Sequence, residues 1–308
     1  MNRLGEAPAM SEPAVDLDDE RYDKHREAGE ILAQVREETV ERIEPGVSHL
    51  EVAEFAEDRI RDLGGEVAFP LNISIDEVAA HDTPSADDER VFGEEMINID
   101  LGVHIDGWLA DTAITVDFTG HDELVEASAE AVEAAIDVIE PGVHTGEIGA
   151  AIEETIDGYG YNPVVNLTGH GLGHYDQHTG PNIPNRAVGQ GVELEAGQVV
   201  AIEPFATDGG GKVREGSRTE IFVLEREDAP VRDRTSREAF KQITSEFSTL
   251  PFATRWLDVR RPEMALRRLL QHDVIDSYPV LKEEEGHLVS QREHTVIVTE
   301  DGAEVTTR

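Results

Sequence analysis

The clearest pattern in the chain is an alternation of apolar and polar positions on either side of Ile105-Asp106-Gly107. Asp-Gly between two alternating runs is a hairpin signal, because a two-residue turn needs positive φ and these residues tolerate it. The pattern predicts paired antiparallel strands over 97–103 and 108–116. Upstream the period changes to that of a helix. Ala28, Ile31, Leu32, Val35 and Thr39 recur at three-and-four spacing within 19–43, and Pro45-Gly46 closes the run. Ser48, with Glu51 three residues on, forms a capping box for a second helix. Its apolar face is Val52, Phe55, Ala56, Ile60 and Leu63, and Gly64-Gly65 stops it. Residues 66–74 and 77–81 read as extended, around Pro70.

The same order then returns. Ile43-Glu44-Pro45-Gly46-Val47 reappears as Ile139-Glu140-Pro141-Gly142-Val143, 96 positions later. Each copy follows an amphipathic helix, at 124–139 in the second case, and precedes another, at 147–156 after Thr145. Each leads into a strand: Asn72-Ile73-Ser74 before His81, and Asn166-Leu167-Thr168 before His170. A duplication at so long a period predicts two related halves packed as one unit. Sites often lie where such halves meet. Further strand patterns occur at 199–205, 218–224 and 294–298.

Residues 225–286 differ from the rest. They are rich in Arg and read as helical, with Phe240, Ile243, Phe247 and Leu250 on one face. Pro262 suits the first turn of a further helix with Leu266, Leu269 and Leu270 as its core stripe. The expected organisation is an acidic, mobile tail at 1–18, a catalytic domain made of 19–224 and 287–308, and an inserted helical subdomain at 225–286.

Composition narrows the classes. The 308 residues can bury a large core. No run of 18 apolar residues is present, and the N-terminus has no basic region followed by an apolar one, so a cytoplasmic protein without a membrane span is expected. There are no cysteines, which excludes disulfides, a thiolate nucleophile and a Cys-based zinc site. The net charge is −40, and only four of the 26 basic residues are Lys. Hydrophobic residues make up 39% in periodic patterns, which argues against disorder as the cause. Adaptation to high salt fits better, since such self-repulsion destabilises a compact fold unless it is screened. An acidic surface also repels nucleic acid and anionic membranes at low salt.

Against that background a few polar residues stand out. Asp100 and Asp111 lie among apolar neighbours on the two hairpin strands. A carboxylate there is costly unless a cation or a donor meets it. The strands alone leave open one buried, hydrogen-bonded Asp beside one edge Asp. His170 sits in the glycine-flanked Thr168-Gly169-His170-Gly171, and His178 follows eight residues later. Glu203 ends the apolar strand Ala201-Ile202-Glu203-Pro204-Phe205, and Glu293 stands at the mouth of the last strand in Arg292-Glu293-His294. Singly, each has an ordinary reading as a solvated Glu or a satisfied His. Together, four carboxylates in one pocket could not all stay ionised without cations. Two divalent ions would remove that conflict, and one imidazole among carboxylates suits Mn, Fe, Co or Zn. Such a pair of ions can make hydroxide at neutral pH and polarise a carbonyl, which is hydrolytic chemistry.

These motifs, in this order and within a duplicated domain, resemble the methionine aminopeptidases. The long segment before Glu293 points to their type II branch, found in archaea and eukaryotes. The resemblance runs from about Asp19 to the C-terminus. Thr168-Gly169-His170-Gly171-Leu172-Gly173 is as close to the shorter type I pattern, but the insertion outweighs it. The resemblance implies an α+β pita-bread (creatinase/aminopeptidase) fold: duplicated halves around a curved antiparallel sheet, with a helical, winged-helix-like insertion. It implies that Asp100 chelates one of two divalent metals (Co, Mn, Fe or Zn), that Asp111 and Glu293 bridge both, and that His170 and Glu203 bind the second. It makes Glu203 the general base, and His81 and His178 the substrate-contacting histidines, on a path in which a bridging hydroxide attacks the first peptide carbonyl. The implied substrates are nascent polypeptides with N-terminal Met and a small second residue. Alternatives are an Xaa-Pro peptidase of the same fold, or a non-catalytic relative that binds RNA or protein. Such relatives lose ligands, and all five are present here.

The insertion carries its own expectation. Residues 226–281 hold ten basic and nine acidic residues, a near-neutral lobe on a very acidic chain. Arg260, Arg261, Arg267 and Arg268 cluster around the Pro262 helix. Because methionine removal accompanies emergence from the ribosome, this lobe is a candidate face toward ribosomal RNA. The competing reading is that these Arg side chains pair with acids on the body of the enzyme. A monomer is expected.

Overall fold

A computed structural model of the chain describes residues 17–308. The expected tail therefore lies, apart from Leu17 and Asp18, outside the described residues. The first half opens with α1 (Glu20–Val40), capped by Asp19, whose carboxylate accepts from the Arg21 amide. In α2 (His49–Asp62) the Ser48 hydroxyl accepts from the Glu51 amide, as the capping pattern predicts. Then come β1 (Glu66–Ile75), β2 (Val78–Ala80), β3 (Met96–Ile105) and β4 (Trp108–Asp117). The hairpin closes on Ile105 facing Trp108, with Asp106 and Gly107 both at positive φ. The sheet order is β1-β3-β4. Ile97, Ile99 and Leu101 pack with Leu32, Val35, Val52 and Ile60 from the helices. Strand alternation then turns Asp100 to the opposite face.

The second half repeats the plan with α3 (Asp122–Asp137) and α4 (Thr145–Gly158), followed by β5 (Asn162–Pro163), β6 (Thr168–Gly173), β7 (Asp176–Pro184), β8 (Val199–Ile202), β9 (Phe205–Thr207) and β10 (Arg214–Leu224). The duplicated turns are equivalent in geometry. Gly46 N–H donates to the Phe92 carbonyl at 2.7 Å, and Gly142 N–H to that of Leu194 at 2.8 Å. Phe92 and Leu194 return the bond to Val47 and Val143 at 2.9 and 2.8 Å. Both glycines have φ above +90°, a conformation that explains Gly at this point of each copy. The copies differ at the next cap. α4 starts at Thr145, earlier than its apolar pattern suggests, and Glu147 accepts from the His144 amide. The Thr145 hydroxyl is taken up by the Val192 amide instead.

Residues 225–286 contain α5 (Arg234–Gln242), β11 (Phe252–Ala253), α6 (Pro262–Leu270) and β12 (Ile275–Lys282). Past α5 the helix widens into a π turn over Ile243–Phe247, and Ser248 at φ 55° breaks it. Phe240, Ile243 and Phe247 stay in the lobe's core, whereas Leu250 leaves it to pack with Phe69 and Leu109. Leu266 and Leu269 of α6 are buried as expected. The strand β12 carries no clear sequence signal, because Pro279 and Asp276 interrupt its alternation. It nonetheless pairs along β10, with an irregularity around Pro279, and joins β2 at Leu281 and Lys282. The segment thus has helices, but its last strand belongs to the sheet β11-β10-β12-β2.

The chain returns in β13 (Val289–Gln291), β14 (His294–Val298) and β15 (Ala303–Val305). These complete the sheets β13-β9-β5 and β15-β14-β8-β6-β7. One large core lies under α3 and α4 and another under α1 and α2. The cavity described next opens on the other face of the strands.

Candidate metal centre

The hairpin supplies the first two acids. Asp100 faces Ala113 and Asp111 faces Gly102, so both point to one side of β3 and β4, two positions apart. The edge of β4 is stitched to the residue that leads into β14. Thr112 Oγ1 donates to the Glu293 carbonyl at 2.7 Å, and the Glu293 amide donates to the Ala113 carbonyl at 3.0 Å. This brings Glu293 beside Asp111 across the two halves. On β6, His170 pairs with Ala201 of β8, and Glu203 comes directly after β8. Gly169 and Gly171 flank His170 because the space of their side chains is filled, by the Ala201 carbonyl and by Thr179 and Gly180.

The side chains converge on a cavity of about 300 Å³. His170 Nε2 lies 3.3 Å from Glu203 Oε1 and 4.0 Å from Asp111 Oδ2. One ligand atom each from Asp111, His170 and Glu293 all fall within 4.8 Å of one another, the spread of a shared ion. Asp100 is outside this tightest set but lines the same cavity. Gln177 Nε2 donates to Asp111 Oδ2 at 3.4 Å, and Gln291 Nε2 to Glu293 Oε2 at 3.5 Å. Asp100 Oδ1, Asp111 Oδ1 and Glu293 Oε1 are buried with no hydrogen-bond partner among the described residues.

Burial dominates the electrostatics. It pushes the Asp100 carboxyl up to about 7. It also pushes Asp111, Glu203 and Glu293 well above the usual carboxylate range, and the negative charge of their neighbours adds to the effect. His170 is pushed down to about 3 by burial, then by His178. Four acids and a neutral imidazole facing one another are stable only with protons or cations between them. Unpartnered oxygens on three acids, with a neutral ring nitrogen beside them, fit divalent metal. Oxygen and imidazole donors together suit first-row transition ions.

All seven residues singled out in the sequence line this cavity: His81, Asp100, Asp111, His170, His178, Glu203 and Glu293. His81 has φ +65° and places Nδ1 3.3 Å from the Pro279 carbonyl. The His178 ring meets that of His170 edge-on at 4.4 Å. Sequence reasoning missed Tyr278, which touches both His81 and His178: its ring is 5.1 Å from that of His81, and its hydroxyl is 3.5 Å from His178 Nδ1. Nothing in the order of residues marks Tyr278, since it arrives on β12, a strand without a clear sequence signal. Gln291 carried a weak signal, being two residues before Glu293 in extended chain and so on its face. The apolar walls, Phe69, Phe205, Ile221 and Pro251, come from four separate segments.

Comparison with known proteins gives the chain a family. Residues 23–300 match the model of metallopeptidase family M24. The chain is 51% identical to a methionine aminopeptidase of Archaeoglobus fulgidus over 95% of its own length and 100% of that protein's. It is 47% identical to that of Methanocaldococcus jannaschii, over 94% and 99%. Among solved structures it resembles a thermophilic Arx1 (TM-score 0.82, 19% identity, 95% and 91% covered). It also resembles the methionine aminopeptidase of Thermotoga maritima (TM-score 0.70, 23% identity, 94% and 97% covered). The fold is the pita-bread fold, and the chain belongs to the methionine aminopeptidases of metallopeptidase family M24.

Proposed function

We propose that the chain removes the N-terminal methionine from polypeptides by hydrolysis, with two divalent ions held by Asp100, Asp111, His170, Glu203 and Glu293. The observation that carries this reading is the set of three unpartnered, buried carboxylate oxygens facing His170 and Glu203. When bound, such ions supply Lewis acidity and make water nucleophilic at neutral pH. Of the two carboxylates beside His170, that of Glu203 is the more accessible, with 13% of its side chain exposed against 4% for Asp111. It takes the proton from the attacking water and delivers it to the leaving amine. His178 donates to the carbonyl oxygen as negative charge develops there, and Tyr278 holds its ring. His81 contacts the substrate beside His178, against the same Tyr278 ring. Phe69, Ile221 and Pro251 offer the apolar surface that a methionine side chain needs.

The test is release of Met from Met-Ala-Ser, in high KCl with added Mn²⁺ or Co²⁺, alongside a peptide with Pro in second position. Met release from the first is the expected result; cleavage of the Xaa-Pro bond alone would move the assignment to a proline peptidase. Glu203→Gln should lower kcat by about 10²–10⁴-fold with little change in KM. A variant altered in KM alone would remove Glu203 from proton transfer.

A second reading concerns the lobe. Arg260, Arg261 and Arg267 are exposed and form no ion pair among the described residues, while Arg268 pairs with Asp233 of the same lobe. That pattern favours an anionic partner over pairing with acids of the body, and ribosomal RNA is the polyanion near the substrate. Changing Arg260, Arg261 and Arg267 together to Glu should abolish co-sedimentation with ribosomes in high KCl while Met-Ala-Ser hydrolysis persists. Unchanged co-sedimentation would rule this out.

A further inference from the structure

The strand β1 is bulged beside the cavity. Phe69 pairs with Gly102 and Asn72 with Asp100, so Pro70 and Leu71 together face Leu101 alone. Bulged residues lose ladder partners, and their backbone groups must be satisfied elsewhere. The Leu71 amide donates to Glu57 Oε1 at 3.3 Å, and its carbonyl accepts from Thr83 Oγ1 at 2.7 Å. A single side chain holds both of these partners. One end of the Arg255 guanidinium pairs with Glu57, and the other donates to Thr83 Oγ1 at 2.8 Å and to the Pro84 carbonyl at 3.0 Å. Trp256 Nε1 donates to the second Glu57 oxygen at 2.8 Å. The Arg255 and Glu57 side chains are 4% and 5% exposed.

Arg255 comes from the insertion and clamps an element of the body. The two residues that flank the bulge, Phe69 and Asn72, line the cavity, and Asn72 sits directly across from Asp100. On the insertion's side, Pro251 lines the cavity just before β11. That strand pairs with β10 at Ile221, another wall residue. The same guanidinium therefore links the segments that carry two walls of one pocket.

We propose that Arg255, acting through Glu57 and Thr83, is a positioning residue for the substrate pocket: it holds the β1 bulge so that Phe69 and Asn72 oppose Ile221 and Pro251. The walls then grip one side-chain shape at the first position of the substrate. This rests on the reading of the cavity as a methionine-removing site. Loss of the clamp widens a pocket whose metal-ligating residues stay in place, so it shows in KM and in selectivity before it shows in kcat.

Two variants test it. Glu57→Gln with Arg255→Met removes both charges together, which avoids an unpaired buried ion. Thr83→Ala breaks the link to Leu71 and keeps the ion pair. Peptides Met-Ala-Ser and Leu-Ala-Ser are compared, with a thermal melt of each variant in high KCl. The expected result is a raised KM for the Met peptide, kcat near wild type, and preference for Met over Leu reduced about 10-fold in the double variant. Thr83→Ala should shift the same way by less. If the double variant does not fold, Thr83→Ala decides. Wild-type release of Met with unchanged KM and selectivity in the folded variants would overturn the positioning role alone. Absence of Met release by the wild type would overturn the functional reading and this inference with it.

Discussion

Asp111 and Thr295 exchange two hydrogen bonds across the halves: the Asp111 amide donates to Thr295 Oγ1 at 2.7 Å, and that hydroxyl donates to the Asp111 carbonyl at 2.8 Å. Both residues are buried. Thr295, together with the bonds of Thr112 and Ala113 to Glu293, therefore fixes where β4 meets β14, and with it the spacing of Asp111 from Glu293 and His170. Thr295→Val should weaken divalent metal binding by about 10–100-fold, as loss of a group behind the ligands does. It should also cost about 1–3 kcal/mol of stability, because the Asp111 amide is left unsatisfied. Thr295→Ser keeps the hydroxyl and should recover most of both. Metal titration and denaturant melts check this; equal losses in the Val and Ser variants would refute it.

Glu293→Gln should have opposite effects on the metal-free and the metal-bound protein. Burial and the neighbouring acids push this carboxyl well above its usual range, so removing it relieves repulsion in the metal-free state. The variant should melt higher than wild type under chelator, bind less divalent metal, and lose Met release. Full metal stoichiometry with full activity would take Glu293 out of the site.

Ionic strength is the next lever. With a net charge of −40, acids on the surface repel over about 10 Å at 0.1 M salt and about 3 Å at 1 M. We expect the far-ultraviolet circular dichroism to show lost structure in dilute buffer that KCl restores. A melting point indifferent to KCl would contradict adaptation to salt.

Acid should destabilise the fold through buried imidazoles before most carboxylates titrate. His25 is pushed down to about 4 by burial, while its Nδ1 lies 2.6 Å from the Leu109 carbonyl. The unfolded chain takes up this proton near 6.5 and the folded chain only near 4. The stability contributed by neutral His25 is thus complete above 6.5 and falls away as pH drops through that window. His25→Gln should flatten the dependence of stability on pH between 6.5 and 4 by up to about 1.4 kcal/mol per pH unit. Coincident slopes for wild type and variant, read from urea melts in high KCl, would show that His25 is not held neutral.

Much of this protein was legible in the order of its residues, for local reasons. The Asp106-Gly107 turn, the helix at Ser48 and the repeated Pro-Gly turns are decided by a few adjacent side chains, so alternation and caps revealed them. The five ligating candidates were legible because each is a polar group in a run whose neighbours are apolar, and because their order matches a family. What the tertiary structure alone decided is how those runs cross. The contact of Glu293 with β4, the clamp of Arg255 on the β1 bulge and the arrival of Tyr278 beside His81 join residues about 180–200 positions apart. No local rule encodes them, since such contacts depend on how two sheets and an insertion pack once their apolar faces are buried. β12 shows the same limit at the level of an element: Pro279 spoils its alternation, and pairing with β10 and β2 makes it a strand all the same.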